Sequence, residues 1–273
     1  MPCPRDAPLD FGFVRPSRTL LGVMLTLLGL WLTFALALNW GGASRGLFDL
    51  LCGNTDRILH GEVWRLFTAP LVHEPQNTIS HILYVLIGLL FLAPSLEQAW
   101  GGPRMLRFLA LSALVAYVFQ LLVELALPAA LAAKLVGPYW YGAMPVVEAV
   151  AIAWALSFRG QTVRLMLLIP VSSTGLIVFV VAVSAMTLLA GSATPSGLVS
   201  PFGGMLAGWL LGGGSPSPLR RAWLKLRLKQ IERRVEGALH ARKDRVVRSK
   251  LRVIEGGKHD DEDDDGPGGK LLN

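Results

Sequence analysis

Charge is scarce in this chain: 16% of its 273 residues are Asp, Glu, Lys or Arg, against 52% hydrophobic. Soluble domains carry about a quarter charged residues, so composition alone excludes an ordinary water-soluble domain and indicates a membrane protein. Cysteine is nearly absent as well. Cys3 and Cys52 are too few for a disulfide framework, and the orientation derived below puts them on opposite sides of a membrane, so no bridge is expected. There are five histidines, His60, His73, His81, His240 and His259, and only His81 falls within an apolar run.

What charge there is leans basic. A net charge of +7 and a pI near 9.8 suggest nucleic acid at first sight. Yet Arg220 to Lys258 holds 14 of the 26 Lys and Arg residues, directly after the last apolar run. A basic stretch at that place is explained more economically by anionic lipid headgroups on the cytoplasmic face. No nucleic acid partner is expected.

Six apolar runs of bilayer-crossing length lie at roughly 19–40, 79–98, 106–127, 140–157, 163–190 and 197–213. The Gly191-to-Gly197 cluster separates the last two with turn-forming residues. The first run, with Ala35-Leu36-Ala37 near its end, superficially resembles a signal peptide. Its apolar core is longer than such peptides carry and its leader is only weakly basic, so an uncleaved span is expected. Arg5, Arg15 and Arg18 precede the first run, Arg104 and Arg107 follow the second, Arg159 and Arg164 follow the fourth, and the basic tail follows the sixth. The positive-inside rule then places both termini in the cytoplasm. The expected location is a bacterial inner (plasma) membrane. The 41–78 connection lies outside and contains Trp40, Phe48, Trp64 and Phe67 at its margins or within it, enough apolar surface to order it in the outer membrane interface.

Several segments resemble the rhomboid family of intramembrane serine proteases. Gly61-Glu62-Val63-Trp64-Arg65-Leu66-Phe67-Thr68 is similar to the family's tryptophan–arginine signature in the first loop. His73 followed by His81-Ile82-Leu83-Tyr84-Val85 resembles the opening of its second span, and Glu97 with Gly101 resembles its close. Gly142-Ala143-Met144-Pro145 stands where the family has glycine, any residue, the catalytic serine and glycine. Pro201-Phe202-Gly203-Gly204-Met205-Leu206-Ala207-Gly208 resembles the segment that begins with the catalytic histidine. The likeness extends over roughly residues 19–213. It implies an all-α bundle of six transmembrane helices, with Trp64, Arg65, Glu97, Gly101, Gly204 and Gly208 in structural roles.

The departures cluster at the chemistry. The resemblance implies that the serine is replaced by Met144, the following glycine by Pro145, the base histidine by Pro201 and an asparagine of the second span by Val85. His81 and Gly142 are retained. Acyl transfer needs a nucleophile within reach of a base and donors aimed at the oxyanion; a thioether cannot be activated by a base, and proline has no N–H. The leading expectation is therefore a pseudoprotease that binds transmembrane segments of client proteins without cleaving them. Two alternatives stand beside it: an active intramembrane protease with a displaced nucleophile, and a scaffold or transporter using Glu148.

Glu148 lies four residues after Met144, on the same helical face, and intramembrane carboxyls mark function by default. Two readings compete: a Glu148–His81 pair in the former catalytic crevice, or a protonated glutamate bonded to a backbone carbonyl. A metal site from His73, His81 and Glu148 matches no compact ligand spacing, so neither metal nor cofactor is expected. Ser172, Ser173 and Thr174 are expected to bond back to carbonyls four residues earlier, and Glu124 to sit at the interface. Gly204, Gly208 and Gly212 form a small-residue stripe suited to packing the sixth span on the fourth; homodimerisation is the alternative, and the oligomeric state stays open.

The chain thus divides into a cytoplasmic N-terminal segment 1–18, a membrane domain 19–213, a basic amphipathic helix within 214–258 and an acidic tail 259–273 expected to be disordered. The helix is expected over about 219–254, with a seam of Leu224, Leu228, Ile231, Val235 and Ala238 that Gly237 interrupts. Such a helix suits an anionic lipid surface, or, as the competing reading, a short coiled coil.

Overall fold

The computed structural model describes residues 15–75, 79–128, 130–132, 136–165, 169–191, 194–212 and 223–238, which form two compact units parted between Ala222 and Trp223. In the first unit, α1 (Arg18–Asn39) begins at Ser17, whose hydroxyl accepts from the Thr19 and Leu20 N–H groups. That cap satisfies donors which the first turn leaves without partners. The following connection folds into α2 (Gly46–Leu51), α3 (Thr55–Leu59, capped by Asn54), α4 (Arg65–Thr68) and a 3-10 turn at Ala69–Leu71. Then come α5 (Ile79–Trp100), α6 (Gly102–Ala126) and α7 (Met144–Ser157).

Every residue from Pro145 to Ala155 of α7 is buried. A helix apolar on all sides is stable only when surrounded, and α7 packs against α5, α6 and the two later helices. At 14 residues it is about 21 Å long, short of the roughly 30 Å hydrocarbon layer; sheathed by protein, it has no lipid thickness to match. Among the described residues, three helices, α1, α5 and α6, are long and apolar enough to cross a membrane.

The fifth apolar run corrects the expectation. It is not one helix over 163–190, nor is the fold purely helical. Strand β1 (Thr162–Leu165) pairs antiparallel with β2 (Ile169–Ser172), and only then does α8 (Ser173–Leu189) begin. Pro170, paired with Arg164, accounts for the break: it has no N–H for a helical bond, while a two-stranded ribbon consists only of edges, where proline is tolerated. Ser172 caps α8 by accepting from the Gly175 N–H at 3.0 Å.

The last helix of this unit, α9 (Ser200–Gly212), runs parallel to α7. A Cβ on Gly204 would lie 2.0 Å from the Pro145 carbonyl oxygen, one on Gly208 2.4 Å from that of Ala149, and one on Gly212 2.2 Å from the Ala153 Cβ. The glycine stripe is spent on this internal contact. Val85, Leu89, Val146, Val150 and Ala207 lie in the same core.

In the second unit, residues 223–238 form a helix, α10, whose side chains are all exposed. The Arg227 guanidinium lies 5.0 Å from the centre of the Trp223 ring. The helix runs through Gly237 without a break. The rest of the expected 219–254 helix and the acidic tail lie outside the described residues, as does the N-terminal segment up to residue 14.

Candidate functional site

The site is built where α7 begins. Trp140, 1% exposed, stacks on Tyr117 with ring centres 4.6 Å apart. Its backbone exchanges two hydrogen bonds with Gly53, at 2.8 and 3.0 Å. The Tyr141 N–H donates to the Pro195 carbonyl at 2.7 Å and the Gly142 N–H to the Ala69 carbonyl at 2.8 Å. The Tyr117 hydroxyl donates to the Gly142 carbonyl at 2.5 Å. The Ala143 N–H donates to His73 Nε2 at 3.1 Å. Four successive residues are thus tied to α6, to the first connection and to the segment before α9. The position of Met144 is fixed by backbone, not by its own side chain.

Gly142 has φ +100°, and a Cβ there would fall 2.3 Å from His81 Cε1, so the imidazole rests directly on the glycine. The His81 ring centre is 5.2 Å from that of His73 and 6.5 Å from that of Tyr141. Neither His81 nitrogen has a partner among the described residues. His73 is fully buried. Burial, reinforced by the neighbouring His81, lowers its pKa from the ordinary 6.5 to about 3, so it stands neutral and accepts the Ala143 N–H. That role was not visible in the sequence, where His73 was only part of a motif.

The positions where the resemblance implies lost chemistry lie on α5 and at the starts of α7 and α9. Met144 is half-buried and packs on the main core. Pro145 stands in the first turn of α7, where a missing N–H costs nothing. Pro201 is buried in the first turn of α9, and Val85 is fully buried on α5. No hydroxyl or thiol among the described residues is bonded to His73 or His81.

Glu148 does not meet His81, contrary to the expected pair. Helices α5 and α7 run side by side, with His81 against Gly142 and Gly88 against Val147. That leaves Glu148 four positions into α7 from Met144, about 6 Å at helical rise beyond the helix start that meets His81. It turns to α8 instead: the Ser184 hydroxyl donates to Glu148 Oε1 at 3.1 Å, while Oε2 is buried without a partner among the described residues. The other expected reading, a backbone carbonyl as partner, fails too. Met144 and Glu148 share a cavity of about 170 Å³ between α5, α7 and α8, lined otherwise by Ser184, Tyr84 and apolar side chains including Phe91 and Val180.

Two of the hydroxyls expected to bond back act otherwise: Ser172 caps α8, and Ser173 accepts from the Gly160 N–H at 3.1 Å, whereas Thr187, farther along the same run, does donate to the Val183 carbonyl at 2.8 Å. Among the described residues no group of three His, Cys, Asp or Glu could hold a metal ion.

Around the site, the motif residues hold the frame. Arg65, 4% exposed, meets Glu62 through Nε and Nη2 at 2.7 and 2.5 Å and donates from Nη1 to the Asp49 and Cys52 carbonyls. It stitches α2 to α4. Trp64 is the exposed residue just before α4. At the far end of the bundle, Glu97 accepts from the Ser17 hydroxyl at 2.6 Å, and Gly101, at φ +84°, turns the chain from α5 into α6. Glu124 lies near the end of α6. It is buried, accepts from Gln120 Nε2 at 2.5 Å and from the Thr55 hydroxyl, and Gln120 Oε1 in turn accepts from the Val199 and Ser200 N–H groups at 2.7 and 2.8 Å. This network ties α3, α6 and the start of α9, and its only trace in the sequence is the spacing of Gln120 and Glu124 by one helical turn.

The rhomboid domain model matches residues 60–214 of the chain. No curated protein matches it. The matched stretch runs from the first connection through α9, contains the four helices that pack against α7, and exceeds half of the sequence. Arg65, His81, Gly142 and the α9 glycines all lie inside it, around an apolar bundle in which three helices can cross a bilayer. The protein is an integral membrane protein and belongs to the rhomboid family.

Proposed function

We propose that this protein is a six-span rhomboid pseudoprotease, which holds transmembrane segments of client membrane proteins without cleaving them. The observation that carries this reading is the pair of histidines at the head of α7, with Met144 in place of a hydroxyl beside them and no hydroxyl or thiol bonded to either ring. Hydrolysis needs an activated nucleophile, a base and oxyanion donors. Met144, Pro201 and Pro145 supply none of these. The scaffold that would present a helix is intact, and the cavity flanked by α5 and α8 opens beside Met144.

The experiment pairs reactivity with capture. Purified protein is incubated with a fluorophosphonate probe and a helical model substrate, while a photocrosslinker at Met144 reports bound membrane proteins. The expected result is no labelling, no cleavage and a crosslink to a transmembrane segment. One observation favours the displaced-nucleophile reading: Ser184 is hydrogen-bonded to a carboxyl. Labelling that disappears in Ser184→Ala would establish that reading instead. No His, Lys or Arg lies in the lining around Ser184 to serve an oxyanion, which is why the binding reading is preferred.

The same proposal assigns the end carrying Ser17, Glu97 and Arg104 to the cytoplasm of a bacterial inner membrane, and α10, with its exposed Leu and Arg side chains, to anionic lipid headgroups.

A further inference from the structure

We infer that the cavity between α5, α7 and α8 selects client helices carrying a side-chain carboxamide, Asn or Gln, at the depth of Glu148; this rests on the client-holding reading above. Glu148 is 7% exposed. Ser184 occupies Oε1, and Oε2 is buried with no partner among the described residues. A buried oxygen left unpaired is costly, and here it borders a cavity lined, apart from Ser184 and Tyr84, by apolar groups such as Phe91, Met144, Leu176 and Val183. An incoming group that bonds Oε2 removes that cost, and an apolar one leaves it.

The occupant follows from the surroundings. Lining residues 144, 147, 148 and 151 fall on one stripe of α7, and Tyr84, Phe179 and Val183 are exposed on the flanking helices. At this depth only lipid tails or another helix stand opposite, because unpaired backbone is excluded from the hydrocarbon. An acyl chain carries no donor or acceptor. At about 170 Å³ the cavity takes side chains from one face of a helix, not the helix itself.

Among helix side chains, a client's Ser or Thr offers a single donor that its own carbonyl four residues earlier also draws, as Val183 draws that of Thr187, and Lys or Arg brings a charge that the bilayer disfavours. A carboxamide presents both donors and an acceptor, so it bonds Oε2 whether or not that oxygen carries a proton.

The test uses the full chain in lipid nanodiscs with two leucine-rich transmembrane peptides, identical except for Leu or Asn at the centre. Energy transfer between labelled protein and peptide is followed at peptide densities below self-association. The Asn peptide is expected to bind about 3- to 20-fold more tightly, the range of interhelical polar contacts. Glu148→Leu should equalise the two peptides, and Glu148→Gln, which keeps a hydrogen-bonding group, should retain the preference. Equal binding of both peptides to the unaltered protein overturns the selectivity alone. A preference that persists in Glu148→Leu also overturns it. If neither peptide binds, client holding falls, and the selectivity with it.

Discussion

A single methyl group at residue 142 would strike His81 Cε1 at 2.3 Å while forcing a non-glycine residue to φ +100°. Both problems are local, and neither has an easy escape: the Gly142 N–H and C=O are held by Ala69 and Tyr117, so the backbone cannot swing away. Gly142→Ala is expected to destabilise the protein by about 2–4 kcal/mol, from backbone strain and overpacking together, as read by denaturation in detergent. The neighbouring His73 sets an acid limit. Its folded pKa of about 3 lies below the ordinary 6.5 because burial disfavours the imidazolium. The unfolded chain therefore takes up a proton first as pH falls. The stability associated with the neutral ring is whole above pH 6.5 and is lost progressively from there toward pH 3, by about 1.4 kcal/mol per unit. His73→Gln removes the titrating group. The variant should unfold with a flatter pH profile over that window; an unchanged profile would refute the assignment.

Between elements, the closest fit is α9 on α7. Gly208 lies against the Ala149 carbonyl, with 2.4 Å available to a Cβ, and that obstacle is backbone, which cannot rotate aside. Gly22 on α1 has nothing within 4 Å. Gly208→Leu should therefore cost about 3 kcal/mol or more, while Gly22→Leu changes stability by no more than about 0.5 kcal/mol; similar effects from both would show that α9 does not bear on α7 as described. This contact is also where sequence and structure meet most closely, since a four-residue glycine period leaves few other uses. The apolar runs likewise marked α1, α5 and α6. The β1–β2 hairpin was hidden because residues 162–172 merge into the apolar run of α8, and hydropathy does not distinguish a strand from a helix; Pro170 was the available signal. The partner of Glu148 was hidden for a different reason. Spacing along α7 puts Met144 and Glu148 on one face, but which neighbour that face meets depends on the rotation of α8, and no residue of α8 announces it. Ser184 therefore went unnoticed, as did the Gln120–Glu124 network, whose partners Thr55 and Ser200 are distant in the chain.

Across the whole bundle, charge is divided unequally between the two ends. At the end formed by the first connection, Arg45 meets Glu74, and Arg57 and Arg65 both meet Glu62, so its cations are offset by carboxylates. At the opposite end Arg18 opens α1, Arg104 and Arg107 lie in the first turns of α6 with the Arg104 guanidinium 4.9 Å from the Trp100 ring centre, and Arg159 follows α7. Positive charge near span ends is retained on the cytoplasmic side, so the Ser17–Glu97 end is expected inside and the Arg65 end outside. Single cysteines test this in a Cys3→Ser background. Cys52 is fully buried, and its thiol is pushed up in pKa by that burial, so it stays unreactive. Leu47, 64% exposed, marks one end, and Gln98, also exposed, marks the other. In intact cells a membrane-impermeant maleimide should label Leu47→Cys within minutes and leave Gln98→Cys untouched until the membrane is opened. The reverse pattern would invert the protein in the bilayer, whereas labelling of both in intact cells would place these two ends on one side and break the membrane-spanning reading of α1 and α5.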